Sequence, residues 1–172
     1  MHFHTDQCHQ ARPAKATILY AMEVPKEGGD TLFSNAYLAY ETLPAEIKAK
    51  IDGKRALNAY VRDATLRSDG YENGASSWHP IVRTHPVTKR KALYVNRLMT
   101  REIEGLSPAE SEEILSFLFD HEEQEKFVYG HKWTPGDVLM WDNRCSLHAR
   151  TDFSAAERRL MRRVTILGEV PE

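Results

Sequence analysis

The sequence lacks several features that mark whole classes of protein. Its only two cysteines, Cys8 and Cys145, lie far apart and form no CxxC pair, which argues against a disulfide framework or a thiolate zinc site. No apolar run approaches the ~18 residues of a membrane-spanning helix, and the polar, histidine-rich start is unlike a signal peptide. Lys and Arg total 23 against 25 Asp and Glu, so neither nucleic acid nor an anionic membrane is favoured as a partner. We therefore expect a cytoplasmic protein that binds a small molecule, and we leave open whether it forms a homo-oligomer.

Internal repeats, low-complexity tracts and linker-like segments are also missing, so residues 1–172 are expected to form a single domain. With 172 residues, the chain is long enough to bury a core. The ionisable stretch His4-Thr5-Asp6 begins almost at the first residue, although termini usually fray unless something holds them. This position leads us to expect that an N-terminal segment is missing from the chain.

Turn signals divide the sequence into many short strands and few helices. Apolar or alternating runs predict strands at 15–24, 30–33, 79–85, 91–96, 126–133, 137–141 and 158–167. Helices are predicted after Ser34-Asn35, from Pro44 to Gly53, and at 107–119, which opens with a capping box. Residues 57–78 show no sustained period and are predicted to form a long loop. This pattern is typical of a mainly β fold, a sandwich or barrel with appended helices.

Three residues are candidates for a metal site. His4 and Asp6 are two positions apart, so on an extended strand both side chains project to the same side. His148 is predicted to lie where a core strand exits into a loop, a usual position for reactive groups. Two imidazoles and a carboxylate form the facial triad that leaves positions open on iron(II). His79, His85, His121 and His131 are assigned structural or surface roles, as are Trp141, Asp142 and Asn143 beside His148, whereas His2 and His9, which flank the motif, stay open as ligands.

The last predicted strand carries two arginines on one face. Period two puts Arg159 and Arg163 on the same side, about 13 Å apart at ~3.3 Å per residue, which suits two separate anions. A solvated basic edge is the simpler alternative. The apolar residues on the opposite face, such as Leu160 and Val164, favour instead a strand covered on both sides. A buried arginine then requires an anion, and its planar fork matches a carboxylate.

Together these motifs resemble a known enzyme family. HTD, EGGDTLF, HPIVRTHPVTKRKALYVN, WDNRCSLHA and RRLMRRVTILG are similar to the taurine and 2,4-dichlorophenoxyacetate dioxygenases, which depend on iron(II) and 2-oxoglutarate. The resemblance covers essentially the whole chain and implies a double-stranded β-helix, a distorted, cupin-like jelly roll. It implies that His4, Asp6 and His148 hold the iron. It also implies that Thr31 and Arg159 bind the distal carboxylate of 2-oxoglutarate.

The resemblance says less about the primary substrate. Arg163 matches the family arginine that contacts the substrate's anionic group, whereas Met99 stands where an aromatic residue is expected. Arg62 and Asp63 lie in the loop that would approach the substrate. Asp6 argues for hydroxylation, because related halogenases carry a small residue at its position. We expect O2-dependent hydroxylation of a small anionic molecule, such as a sulfonate, an aryloxy acid or a carboxylate, with release of succinate and CO2.

Two alternatives remain open. The chain could be a truncated, non-catalytic binding module that keeps the family motifs, or a zinc hydrolase that uses the same three ligands. Thr31, Arg159 and Arg163 favour the oxygenase over the hydrolase, because hydrolysis needs no anchor for a keto acid. Folding and turnover measurements separate the oxygenase from the binding module.

Overall fold

The computed structural model describes residues 2–60 and 75–172, and most of its regular structure is β. The strands are β1 (Ala14–Glu23), β2 (Thr31–Asn35), β3 (Arg55–Ala59), β4 (Ser76–Pro80), β5 (Val82–Thr84), β6 (Lys91–Leu93), β7 (Thr100–Ile103), β8 (Val128–His131), β9 (Val138–Asp142), β10 (Ser146–Arg150) and β11 (Leu160–Leu167). The helices are α1 (Ala36–Glu41), α2 (Ala45–Ile51) and α3 (Pro108–Glu122), with a 3-10 turn at Glu125–Phe127. None of the helices in these ranges is long and apolar enough to cross a membrane.

Two antiparallel three-stranded sheets frame the molecule. The first has the strand order β11-β1-β9 and the second β10-β2-β8, so the chain alternates between them from β8 to β11. Their inner faces meet, because the rings of Phe33 in β2 and Trp141 in β9 have centroids 5.4 Å apart. This two-layered arrangement agrees with the predicted β-sandwich. The middle of the sequence forms a third sheet, with the strand order β4-β3-β7, and the two-stranded β5-β6 hairpin.

The helices begin where the sequence predicts. Asn35 caps α1, its side chain accepting the backbone N–H groups of Tyr37 and Leu38. At α3 the hydroxyl of Ser107 accepts the N–H of Glu110, and the Glu110 carboxylate accepts the N–H of Ser107 in return. The predicted capping box is therefore confirmed. The main hydrophobic core joins these helices to the β3 sheet, through residues such as Ala39, Leu115 and Ala56.

The predicted loop at 57–78 is wrong at both of its ends. Residues 57–59 belong to β3 and 76–78 to β4, and the two strands pair with each other, while 61–74 lie outside the described residues. Asn58 explains the missed strand, because it is fully buried and accepts a 2.8 Å hydrogen bond from the Thr100 hydroxyl. A buried polar residue with its own partner interrupts the apolar alternation by which a strand is recognised.

The outer face of β11 also differs from the prediction, since it is not covered. Leu160 is 40% and Val164 58% exposed, and Met140 of β9 is 60% exposed. In the first sheet Ile18 of β1 stands opposite both Val164 and Met140, so these side chains share the outer face. Leu160 and Val164 therefore lie on an exposed sheet face, and Arg163 and Thr165 lie on the opposite face.

Candidate metal site

Backbone pairing brings the two candidate histidines together. His4 and His148 exchange two backbone hydrogen bonds, of 2.9 Å and 2.8 Å, as an isolated antiparallel bridge at the edge of the second sheet. Directly opposed residues of this kind present their side chains on the same face. Their ring centroids are accordingly 4.3 Å apart. His148 lies in the middle of β10, not at a strand exit as predicted, and its neighbour across β2 is Phe33.

Asp6 reaches the same place by a different route from the one predicted. Only His4 pairs as in a strand, and Asp6 begins a turn in which Gln7 has a positive φ of 59°. The turn is tied to the end of β9, because the Thr5 hydroxyl donates to the carbonyl oxygen of Asn143 at 2.8 Å. The Asp6 side chain is 8% exposed, and its Oδ2 lies 3.9 Å from His148 Nε2.

The three side chains form a compact donor set. One ligand-type atom from each of His4, Asp6 and His148 lies within 4.8 Å of the other two. His4 Nδ1 is 3.2 Å from the carbonyl oxygen of His2, to which it can only donate, so Nε2 keeps its lone pair. Burial and, second, the neighbouring His4 lower the pKa of His148 to about 3, which leaves its imidazole neutral at physiological pH. This mixed nitrogen and oxygen set suits iron(II).

A series of hydrogen bonds through Trp141, Asn143 and Thr17 ends at Asp6. The Thr17 hydroxyl donates to Asp6 Oδ2 at 2.5 Å, and Thr17 Oγ1 accepts from Asn143 Nδ2 at 2.9 Å. Asn143 Oδ1 accepts from Trp141 Nε1 at 3.0 Å. Thr17 was not predicted to belong to the site, and Trp141 and Asn143 were predicted to serve in packing and turns. The available signal was a threonine in the middle of the apolar run that forms β1.

Arg159 is hydrogen-bonded to the loop that immediately precedes Thr31, the first residue of β2. Arg159 Nε donates to the carbonyl oxygen of Gly29 at 2.9 Å, two residues before Thr31. Thr31 is buried and its oxygen accepts from Trp133 Nε1 at 2.9 Å, which leaves the hydroxyl proton to be donated elsewhere. Burial and then the charge of Arg150 lower the pKa of Arg159. A half-buried guanidinium beside another cation suits an anionic ligand.

Arg163 faces the metal candidates from β11. Its Nη1 lies 3.6 Å from Asp6 Oδ1, and its side chain is 61% exposed. Unlike Arg159, which precedes the strand, it lies in the middle of β11, opposite Leu19 of β1. The two arginines therefore reach different surroundings, one beside Asp6 and the other beside Gly29 and Thr31.

Of the other two substrate candidates, the structure describes only Met99, which lies in a separate cluster. Met99 is buried in a cluster with Cys8, Tyr94 and Leu98, and the Cys8 thiol donates to its sulfur at 3.6 Å. Asp63 lies outside the described residues, as does Arg62. The contact of either position with a substrate stays a prediction.

Comparison with known proteins defines the class of the chain. The family described as "Taurine catabolism dioxygenase TauD, TfdA family" matches residues 1–165, and the chain belongs to that family. The structure superposes on a taurine dioxygenase from Burkholderia xenovorans with a TM-score of 0.89 and 34% identity, covering 98% of this chain and 57% of that one. The predicted jelly roll is therefore confirmed.

Among individual relatives, the chain is similar to an alpha-ketoglutarate-dependent 2,4-dichlorophenoxyacetate dioxygenase from Cupriavidus pinatubonensis, with 37% identity over 97% of this chain and 60% of the relative. It is 34% identical to pentalenolactone F synthase from Streptomyces arenae, over 99% of this chain and 63% of the relative. It also resembles AAD-2, solved in complex with Mn(II) and N-oxalylglycine, with a TM-score of 0.88, 31% identity and coverage of 98% and 69%. The chain thus spans about three fifths of the curated relatives it matches.

Proposed function

We propose that this chain binds iron(II) through His4, Asp6 and His148 and hydroxylates a small anionic organic molecule at the expense of 2-oxoglutarate and O2. The observation that carries the proposal is the convergence of the three donors, fixed by the backbone bridge between His4 and His148. When bound, iron(II) supplies the redox chemistry that couples decarboxylation of 2-oxoglutarate to oxidation of a C–H bond, with succinate and CO2 as products.

The donor set fits such a metal. His148 Nε2 lies 3.9 Å from Asp6 Oδ2, too far for a hydrogen bond and close enough for both atoms to bind one metal ion. A facial triad also leaves room for a bidentate keto acid. The relative solved with Mn(II) and N-oxalylglycine supports a divalent metal beside a small dicarboxylate.

Thr31 and Arg159 are proposed to hold the distal carboxylate of 2-oxoglutarate. Arg159 donates Nε to the carbonyl oxygen of Gly29, two residues before Thr31, and this bond leaves the terminal nitrogens of the guanidinium for an anionic ligand. A guanidinium and a hydroxyl donor together match a carboxylate. This contact would orient the keto acid with its other end toward the metal.

Arg163 is proposed to bind the anionic group of the primary substrate. It is adjacent to Asp6 yet well exposed, so a solute can reach its guanidinium. The names of relatives include dioxygenases of 2,4-dichlorophenoxyacetate and (S)-phenoxypropionate, and a putative sulfonate dioxygenase from Schizosaccharomyces pombe. These names support a carboxylate or sulfonate substrate.

The first test is anaerobic addition of iron(II) and then 2-oxoglutarate to the purified chain. We expect a visible metal-to-ligand absorption band, followed by O2-dependent succinate formation that taurine or an aryloxy acid accelerates. A folded chain that gives neither band nor succinate would favour the non-catalytic binding module. Hydrolysis by the zinc-loaded chain, with no response to 2-oxoglutarate, would favour the hydrolase.

We further propose that residues 1–172 act as a single domain in the cytoplasm, with small molecules as partners. Both cysteines are unbridged, which supports a reducing compartment. Sedimentation of the purified chain measures whether it is a monomer or a homo-oligomer.

A further inference from the structure

We propose that Thr17 is a positioning residue for the Asp6 carboxylate, and that Trp141 and Asn143 fix the direction of the hydrogen bond it donates. The inference rests on the proposed metal site and adds to it a residue that is not itself a ligand. The juxtaposition that carries it is a linear series of hydrogen bonds from the indole of Trp141 to Asp6 Oδ2.

The direction of this series follows from its first member. The indole N–H of Trp141 can only donate, and the backbone N–H of Asp6 points at the same Asn143 atom from 3.4 Å. That atom must therefore be the amide oxygen, which makes the other end of Asn143 an NH2 donor. Thr17 Oγ1 accepts from this NH2 group, so its one proton remains for Asp6 Oδ2. Each step leaves the next no alternative direction.

Burial makes this arrangement strong. Thr17 is fully buried and Asn143 is 1% exposed. In such surroundings a hydrogen bond to a carboxylate gains strength, and an unpaired donor is expensive. The 2.5 Å distance between Thr17 Oγ1 and Asp6 Oδ2 lies in the range of charge-assisted O–H···O bonds. The contact from Arg163, by comparison, is 3.6 Å long and comes from a side chain that is 61% exposed, so solvent weakens it.

The first sheet holds the three residues that precede Asp6 in the series, namely Trp141, Asn143 and Thr17. Thr17 lies at the centre of the first sheet, opposite Trp141 in β9. Asn143 follows β9 directly, and its backbone N–H donates to Lys15 O in β1 at 2.9 Å. Asp6, in contrast, sits in a turn near the chain's first residues. The hydrogen bond from Thr17 therefore transfers the order of the sheet to the least supported of the three ligands.

The test compares two matched substitutions, Thr17→Val and Thr100→Val. Both threonines are almost completely buried, and each hydroxyl donates one hydrogen bond and accepts one, but Thr100 donates to Asn58 in the third sheet and makes no bond to the series. The readout is the dissociation constant for Mn(II), followed anaerobically by the electron paramagnetic resonance of the free ion. Thermal unfolding without metal reports the purely structural cost of each change.

We expect Thr17→Val to weaken Mn(II) binding by about 10- to 100-fold, the usual effect of losing a group that orients a metal ligand. Thr17→Ser, which restores the hydroxyl, should return the affinity to within about 3-fold of the parent, roughly 0.65 kcal/mol. Thr100→Val should leave the affinity near the parent value while lowering thermal stability. If Thr17→Val does not fold, the pair Thr17→Ala and Thr100→Ala makes the same comparison.

Two results overturn the inference, and they differ in what else they reject. If the parent chain binds Mn(II) and Thr17→Val binds it equally well, Thr17 has no positioning role and the proposed metal site stands. Equal losses in the Thr17 and Thr100 variants would have the same meaning, because general packing would then explain both. If the parent chain binds no Mn(II), the proposed function fails together with the inference.

Discussion

Two clusters in the described part of the chain bring metal-ligand side chains equally close, but the hydrogen bonds they already make leave them different capacity to bind a metal. His4, Asp6 and His148 form the first, and His85, Asp142 and Cys145 form the second; in each, the three candidate atoms lie within 4.8 Å of one another. Distance alone does not separate them. The difference lies in the hydrogen bonds that each cluster already makes.

In the second cluster those bonds occupy the ligand atoms. His85 Nδ1 accepts the backbone N–H groups of Val87 and Thr88, so Nε2 carries the proton and donates it to Asp142 Oδ2 at 3.1 Å. Arg144 donates to both oxygens of Asp142. Burial opposes ionisation of Asp142, but the hydrogen bonds from Arg144 and His85 outweigh it and lower its pKa to about 2.

In the first cluster the ligand atoms are kept available. His4 uses Nδ1 for the carbonyl oxygen of His2 and keeps Nε2, while His148 Nε2 faces Asp6 Oδ2 at 3.9 Å and its Nδ1 is buried without a hydrogen-bond partner in the described part of the chain. Asp6 accepts from Thr17 at one oxygen and faces Arg163 with the other. A metal site is therefore marked by unfilled coordination capacity at the right spacing, not by residue types alone.

The largest expected effect is loss of the metal from the first cluster. His4→Ala, Asp6→Ala and His148→Ala should each abolish stoichiometric Mn(II) or iron(II) binding and turnover, because two remaining ligands chelate too weakly. Cys145→Ser, in the second cluster, should bind one metal per chain as the parent does. Metal content after equilibrium dialysis measures both. Loss of metal in the cysteine variant with retention in the three others would reverse the comparison.

Next in size is the separation of the two arginines that face the first cluster. Arg159→Ala should raise the 2-oxoglutarate requirement, and Arg163→Ala should weaken the primary substrate while leaving uncoupled decarboxylation. The loss for the half-buried Arg159 should be roughly 30- to 150-fold, since a charged hydrogen bond in a dry site contributes about 2–3 kcal/mol. The loss for Arg163 should be smaller, because its side chain is 61% exposed and solvent screens its charge. The matched control is Arg158→Ala, because Arg158 is 77% exposed and pairs with Glu23. Equal effects of both substitutions on both ligands would contradict separate sites.

A smaller effect concerns Glu122, a second buried group without hydrogen-bond partners. Both of its carboxyl oxygens are buried without such a bond in the described ranges, and burial raises its pKa well above the usual value. The folded chain therefore holds a proton that the unfolded chain releases above about pH 4.5. Stability should fall as pH rises from there toward the folded pKa, by up to about 1.4 kcal/mol per pH unit.

Glu122→Gln tests this by removing the titrating group. Urea unfolding between pH 5 and pH 8 should show the variant gaining stability relative to the parent as pH rises. Glu113→Gln, an exposed position on the same helix, should follow the parent at every pH. A constant difference between the Glu122 variant and the parent across this range would show that Glu122 is ionised in the folded chain.

The features that could be predicted from the sequence are those fixed by residues close together in the chain. The capping box of α3 and the run that forms β1 are local patterns, and both were predicted correctly. The position of His148 within β10 depends on pairing with β2 and with His4, more than a hundred residues away in the chain. Local alternation contains no information about such a partner.

The same reasoning applies to the site. Histidine and aspartate at suitable spacing occur in both clusters, and only the family motifs favoured the first. Thr17 was missed because a threonine in an apolar strand has many structural roles, and its contact with Asp6 arises from a turn that period two does not describe. Predicting β11 as covered on both faces failed because apolar residues on a strand do not reveal what lies above them.

The last and smallest effect is expected from substitutions at His85, which change the hydrogen bonds of the second cluster. His85→Asn keeps an oxygen near Nδ1 for the N–H groups of Val87 and Thr88 but loses the bond to Asp142. His85→Gln keeps a donor near Nε2 for Asp142 and loses the acceptor for the turn. Each variant should lower the free energy of unfolding by about 1–3 kcal/mol, the usual cost of leaving a buried polar group unpaired, and neither should change the affinity for Mn(II). Urea unfolding and Mn(II) titration of both variants measure this, and a loss of metal affinity in either would mean that the second cluster, not the first, takes part in holding the metal.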